Sequence, residues 1–244
     1  METENTPWRG YTLRRARPEE LAVLPEVEHL AAQQFLQSAH PFAAQLESQS
    51  LEQLREYQRH GGVWVAATAE GGIAAFVLCK EVDGAAYIAE LDVHPAHARQ
   101  GLGRALFEVL RRHARERGYP AMLLTTFRDV PWNAPNYERW GFRIMRDDEV
   151  GPGLRAIREH ETRMGLPEAS RVCNGAPAGD GPRRVTDSLA WIHRQSRLPP
   201  CPAGQPSPTQ YLGPLSTAAV LDWSCGTLTR QLPALLFPEA SATV

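Results

Sequence analysis

The chain has 244 residues, of which 43% are hydrophobic, and a formal net charge of −2. That length and apolar content suit a full buried core in one or two domains, and the near-neutral charge excludes the basic footprint of a nucleic-acid-binding protein. Its four cysteines, Cys79, Cys173, Cys201 and Cys225, are scattered without metal-ligand spacing and call for no disulfide framework.

In chain order, Tyr11 to Ala16 alternates like a first strand, and Pro18-Glu19-Glu20 opens a helical stretch running toward Leu36. A second helix is expected over Leu51 to Arg59, ended by Gly61-Gly62. Val63 to Thr68 and Ile73 to Lys80 then read as a hairpin joined through Glu70-Gly71-Gly72. Ala85 to Val93 follows as a central strand, whose simple alternation puts Ile88, Glu90 and Asp92 on one face and Tyr87, Leu91 and Val93 on the other. The next helix starts after Gly101 and buries Leu102, Ala105, Leu106, Val109 and Leu110 at helical spacing, with several arginines near its end before Gly118. Ala121 to Phe127 is a further strand, Phe142 to Met145 another, and Leu154 to Met164 a short closing helix.

After Cys173 the pattern changes. The last 71 residues hold ten of the twenty prolines and four acidic residues, and they lose any usable period, so a disordered extension is expected over residues 172–244. Asp187 to Arg197 and Leu215 to Leu236 are the two pieces of it able to form short helices. The ordered domain is expected over residues 11–171. Met1 to Gly10 has no apolar core of signal-peptide type, and the longest apolar run, Ile73 to Cys79, is too short to cross a bilayer. A cytoplasmic protein without a membrane partner is the corresponding expectation.

The most informative stretch is Tyr87 to Leu110, YIAELDVHPAHARQGLGRALFEVL, where Gly101 and Gly103 stand at a helix start between Arg99 and Arg104. The first N–H groups of a helix lack intrahelical partners and the macrodipole adds partial positive charge there, so phosphate oxygens can be held largely by backbone. Glycine permits the close approach. The spacing fits neither the nucleoside-triphosphate loop, which needs Gly-Lys-Ser/Thr, nor the dinucleotide fingerprint, which wants a small residue where Leu106 stands. A plain loop-to-helix junction is the alternative reading of the glycines alone.

With the strand before it and the later segment VPWNAPNYERWGF, in which Tyr137 precedes Gly141-Phe142, the chain resembles the GNAT superfamily of acyl-CoA-dependent N-acyltransferases. The resemblance is strongest from Val63 to Phe142. It implies an α/β (α+β) fold with a central mixed, mostly antiparallel sheet flanked by helices. The family's Gln/Arg-x-x-Gly-x-Gly/Ala pattern registers on Ala98 to Gly103, with Ala98 a departure at the first position. The resemblance implies that acetyl-CoA, as acyl donor, meets backbone of Arg99, Gln100, Gly101, Leu102, Gly103 and Arg104. Along a bulged central strand it implies further donor contacts from Leu91, Asp92 and Val93. Many members carry an asparagine where this chain has Val130, so Asn133 and Asn136 are the nearer candidates for the pantetheine arm.

The implied chemistry is direct attack of an amine on the thioester. Glu90 is the candidate base and Tyr137 the candidate acid, since a phenol is protonated at neutral pH and can give its proton to the departing sulfur. Asp92 lies beside Glu90, and two neighbouring carboxylates raise each other's proton affinity, so either could be the base. A small-molecule or amino-acid amine is the preferred acceptor, with a protein amine, or a non-catalytic acyl-CoA-binding regulatory module, as alternatives, and the resemblance leaves room for a homodimer. His94 and His97 lack a third ligand at recognisable spacing, so no metal is expected. Trp132 and Trp140 are read as core residues, with Trp132 also placed to line an acceptor pocket.

Overall fold

The computed structural model of the protein describes residues 5–179. One eight-stranded sheet organises them, built from β1 (Thr6–Trp8), β2 (Tyr11–Arg15), β3 (Val63–Ala67), β4 (Ile73–Val82), β5 (Ala85–Val93), β6 (Ala121–Phe127), β7 (Arg143–Ile144) and β8 (Arg171–Pro177). The order across it is β1-β2-β3-β4-β5-β6-β8-β7. The β5–β6 pair is parallel and the other neighbours are antiparallel. The helices are α1 (Leu24–Ala32), α2 (Leu51–Arg59), α3 (Leu102–Glu116), α4 (Ala134–Glu138) and α5 (Pro152–Arg163). The fold is thus a mixed α/β one, with an open, mostly antiparallel sheet covered by helices.

Local sequence explains where these elements begin. At α2, Ser50 accepts the Gln53 N–H while the Gln53 side chain accepts the Ser50 N–H, a reciprocal cap that satisfies two otherwise orphaned donors. β4 and β5 are joined by Asp83-Gly84, both with positive φ (52° and 71°), the backbone that a two-residue hairpin demands. The Asp83 carboxylate then accepts the N–H groups of Gly153 and Leu154 at 2.8 and 2.9 Å, so a hairpin tip caps the start of α5.

The helical stretch expected from Pro18 toward Leu36 is broken into a 3-10 turn at Pro18–Val23, α1, and a second 3-10 turn at Gln33–Gln37. On one side of the sheet, α1 and α2 bury Leu24, Val27, Leu54 and Tyr57 against Phe76 and Leu78, and α5 adds Leu154 against Tyr87 and Leu123. On the other, α3 buries Leu102, Leu106, Phe107 and Leu110 against Val77, Ile88 and Met122.

The sheet extends past both expected edges. Thr6–Trp8 adds a strand before Tyr11, and a domain boundary at Arg171 falls on the first residue of β8. That strand pairs over its whole length with β6, from Phe127↔Arg171 to Ala121↔Pro177, and also carries β7. Five of its seven residues, Val172 to Ala176, are buried, but the glycine and proline within the segment weaken its strand pattern in the sequence. The proline-rich extension, its two short helical pieces, Cys201 and Cys225 all lie outside the described residues, apart from residues 172–179. Cys79 and Cys173 are buried free thiols. No described helix is long and apolar enough to cross a membrane.

Candidate functional site

The central strand is not a regular one. Its register against β4 shifts between Leu78 and Cys79: Leu78 faces Glu90 while Cys79 faces Ile88, which leaves Ala89 as the extra, bulged residue. The bulge corrects the expected alternation. Ile88 lies in the α3-side core, and so do Leu91 and Val93, whereas Glu90 and Asp92 lie opposite Leu78 and Phe76 on the α1 side. It also ends a ladder. β5 pairs with β6 from Ala86↔Met122 to Ile88↔Leu124 and no further, so the backbone of residues 89–93 diverges from β6 and its side chains are only half-buried.

Glu90 and Asp92 sit together in that opening. Burial raises the proton affinity of both, and the charge of Glu90 raises that of Asp92 further. A hydrogen bond between the two carboxyl groups acts in opposite directions on them, lowering Glu90 and raising Asp92. Both carboxyls therefore take up a proton more readily than ordinary ones, and the pair titrates as a unit in which either member can be left as the acceptor. The cation whose field reaches Glu90 is Arg171 on β8, itself bonded through Nε and Nη2 to Glu161 of α5. Thr125 of β6 joins this network, with its hydroxyl 2.9 Å from that of Tyr87.

Tyr137 lies in α4, half-buried, its ring edge-on to Trp140 at 5.3 Å and to Phe142 at 5.7 Å. Burial, followed by the charges of Glu90 and Asp92, pushes its hydroxyl well above the ordinary phenol value, so it is protonated across the neutral range. The expected acid and base thus share one electrostatic environment, although they come from elements about fifty residues apart in sequence.

The glycine-rich junction has the backbone that its composition predicts. Arg99 (φ 61°) and Gly101 (φ 76°) are both left-handed, and Gly101 is the residue from which α3 starts. The Gln100 carbonyl accepts the Trp8 indole N–H at 3.3 Å, fixing the turn to the first strand. Leu102 is buried in the core, so it has only backbone to offer an anion. A Cβ at Gly103 would stand 3.5 Å from Trp140 and 3.8 Å from Val93, so glycine keeps the gap between the end of β5 and the Trp140 wall open. Arg104 is ion-paired with Glu108 and lies near the Phe107 and Trp140 rings. Unpaired N–H groups at the start of a fifteen-residue helix and a glycine that keeps space beside them fit a phosphate-bearing donor.

Asn133 occupies the residue before α4, and Asn136 accepts Arg139 Nη2 at 2.9 Å. Val130 is buried with Ala43 and Phe127, which withdraws it from any ligand. His94 and His97 are engaged locally: His94 Nδ1 accepts the Ala96 N–H at 3.1 Å, and His97 Nδ1 pairs with the Tyr11 hydroxyl at 3.0 Å. Among the described residues no group of three His, Cys, Asp or Glu side chains is arranged to hold a metal ion.

Sequence reasoning misses several residues of this region. Glu28 on α1 is the clearest: burial and the charge of Glu90 raise its proton affinity, and its own charge raises that of Asp92. Nothing around Glu28 distinguishes it from any other acid on an amphipathic helix. The His40 ring stacks on Phe127 at 4.3 Å and its Nε2 meets Asp129 at 2.8 Å, tying the Pro41–Gln45 turn to the end of β6. Trp132 and Phe35 pack on the same cluster.

The pattern of the Acetyltransferase (GNAT) family matches residues 24–142. In fold the chain is similar to a GNAT-family acetyltransferase from Listeria monocytogenes, with a TM-score of 0.52 at 13% identity over 71% of this chain and 99% of that one. It is similar to PaiA N-acetyltransferase from Thermoplasma acidophilum in complex with coenzyme A, with a TM-score of 0.50 at 14% identity over 68% of this chain and 98% of that one. N-acetylglutamate synthase from Neisseria gonorrhoeae, complexed with coenzyme A and N-acetyl-glutamate, gives a TM-score of 0.50 at 18% identity over 69% of this chain and 35% of its own. At these identities the likeness to the solved structures is one of fold.

Proposed function

The chain carries the acetyltransferase domain of the GNAT family, and from that premise we propose that it moves an acetyl group from acetyl-CoA to the amine of a small molecule. The observation that carries this reading is the bulge at Ala89, which ends the β5–β6 ladder beside a carboxylate pair on a strand whose last residue, Val93, adjoins Gly103 at an uncapped helix start. Coenzyme A is present in two of the similar structures, which supports it as the donor's carrier here. Backbone N–H groups from Arg99 to Arg104 would hold its pyrophosphate, and the freed backbone at Leu91 and Val93 would hydrogen-bond the arm as an added strand does. Asn133 and Asn136, at and within the start of α4, are the candidates for polar contacts to the pantetheine arm.

In the transfer, Glu90 takes the proton that the amine must lose to attack the thioester carbon, directly or through a water. As the new C–N bond forms, the C–S bond breaks, and Tyr137 gives its proton to the sulfur. Asp92 beside it raises the proton affinity of the pair and is the alternative base.

A thiol-release assay with acetyl-CoA and a panel of amines tests the activity, and coenzyme A calorimetry tests the donor site. Gly103→Val should fold, since a Cβ there meets only ordinary contacts, yet lose coenzyme A affinity by about tenfold or more because the branched side chain fills the gap beside the helix start. Unchanged affinity in the folded variant overturns the donor site. Tight coenzyme A binding with no amine turned over by the wild type would favour a regulatory acyl-CoA-binding module.

A further inference from the structure

The second inference rests on reading the β5 opening as the site of transfer to an amine, and it concerns what else that amine carries. Beside Glu90 the structure gathers oxygen acceptors and few donors. Glu28 on α1 is close enough to Glu90 and Asp92 for their charges to act on one another, and its Oε2 accepts the backbone N–H of Gln49 at 3.1 Å. Two further oxygens here, Asp92 Oδ2 and Gln49 Oε1, are shielded from solvent and have no hydrogen-bond partner within the protein. Buried acceptors normally find donors, so acceptors held without one mark a place for donors that the protein does not supply. The cation whose field reaches Glu90 is no substitute, since Arg171 already serves Glu161 and Thr125.

The geometry points to an acceptor with a second cationic nitrogen, a diamine or related dication, whose distal ammonium sits among Glu28, Asp92 and Gln49 while its reacting amine faces Glu90. An ammonium has three N–H donors and no acceptor, which matches a site that offers carboxylate and amide oxygens. A carboxylate on the same arm would instead add a negative charge beside carboxyls that already resist ionising, whereas an ammonium favours their ionised, hydrogen-bond-accepting form. The subsite therefore selects for charge on the distal end of the acceptor and rejects amino acids whose carboxylate would lie there.

Three acceptors of equal length isolate that distal group: 1,4-diaminobutane, butylamine and 4-aminobutyrate. Measured as thiol release, kcat/KM for the diamine should exceed that for butylamine by about tenfold or more, and 4-aminobutyrate should be the poorest of the three. Glu28→Gln should bring the diamine-to-butylamine ratio down toward one, whatever it does to either rate alone. Gln49→Leu, which removes the amide oxygen and keeps every charge, should lower the ratio in part and serves if Glu28→Gln does not fold. Equal kcat/KM for diamine and butylamine in the wild type, or a ratio unmoved by both variants, overturns the subsite and leaves acetyl transfer standing. Absence of turnover with every amine, in a protein that binds acetyl-CoA, removes the transfer reading and this inference with it.

Discussion

Glu90, Asp92 and Glu28 are each held more basic than an ordinary carboxyl group, chiefly by burial and then, for Asp92 and Glu28, by the charge of Glu90. The sign of the pH effect on rate follows. A base works when deprotonated, so kcat/KM should climb with pH through a limb that lies above the usual carboxylate range, and Glu90→Gln should remove or displace that limb. Glu90→Gln and Tyr137→Phe should each cost about 10²–10⁴-fold in turnover, with acetyl-CoA affinity in Tyr137→Phe little altered. A limb that stays in place with normal turnover would transfer the role of base to another group or to an amine that arrives neutral. The effect on stability has its own sign. A carboxyl whose folded-state pKa is raised stabilises the fold fully below its unfolded value, near 4.5 for Glu28, and that contribution is lost as pH rises through the folded value. Glu28→Gln should therefore melt higher than the wild type at pH 8, by about 1 kcal/mol or roughly 2–4 °C, and no higher at pH 4. Thermal unfolding at the two pH values measures it, and an equal change at both would mean that charge is not the cause.

Among the elements, β5 decides most, and its decisive residue is the least conspicuous one. Ala89 is the extra residue in the β4–β5 ladder, and beyond it the β5–β6 pairing stops. Deleting Ala89 leaves Ile88 and Glu90 opposite the partners they already face, Cys79 and Leu78, but removes the residue that bends the strand. The variant should fold, with the β5–β6 ladder free to continue past Ile88, and should lose coenzyme A affinity by about tenfold or more. Circular dichroism with calorimetry checks both halves, and full affinity in the deletion variant would detach the donor site from the bulge. Glycine placement at Gly101 and the amphipathic stripe of α3 are legible in sequence because each is a local demand on backbone or burial. The side to which Glu90 points is not, because a bulge is a property of two strands in register and leaves no mark in the residues of one.

On the scale of the whole molecule, the sheet closes later than composition suggests. β8 supplies the last partner of β6 and the only sheet partner of β7 among the described residues, and its first residue, Arg171, anchors the network behind Glu90. A chain ending after Cys173 would keep that arginine but lose Asn174 to Pro177, exposing the Ala121–Leu124 edge and both residues of β7. It should be insoluble or melt far lower than the full chain, whereas a chain ending after Gly179 should melt cooperatively and still bind coenzyme A. Comparable melting of the two would mean that β8 contributes little and that the domain does end near Arg171. By itself the amino-acid sequence determined the family resemblance, the helix start that suits a phosphate, the pairing of Glu90 with Asp92 and the apolar face of α3. Those features are set by neighbours in the chain and by periodicity. Tertiary structure alone decided that Ile88 and Glu90 face opposite ways, that Glu28 and Gln49 stand beside the carboxylate pair, and that residues 171–177 belong to the sheet. Each of these depends on a strand or helix distant in sequence, whose approach is fixed by burial of the whole core.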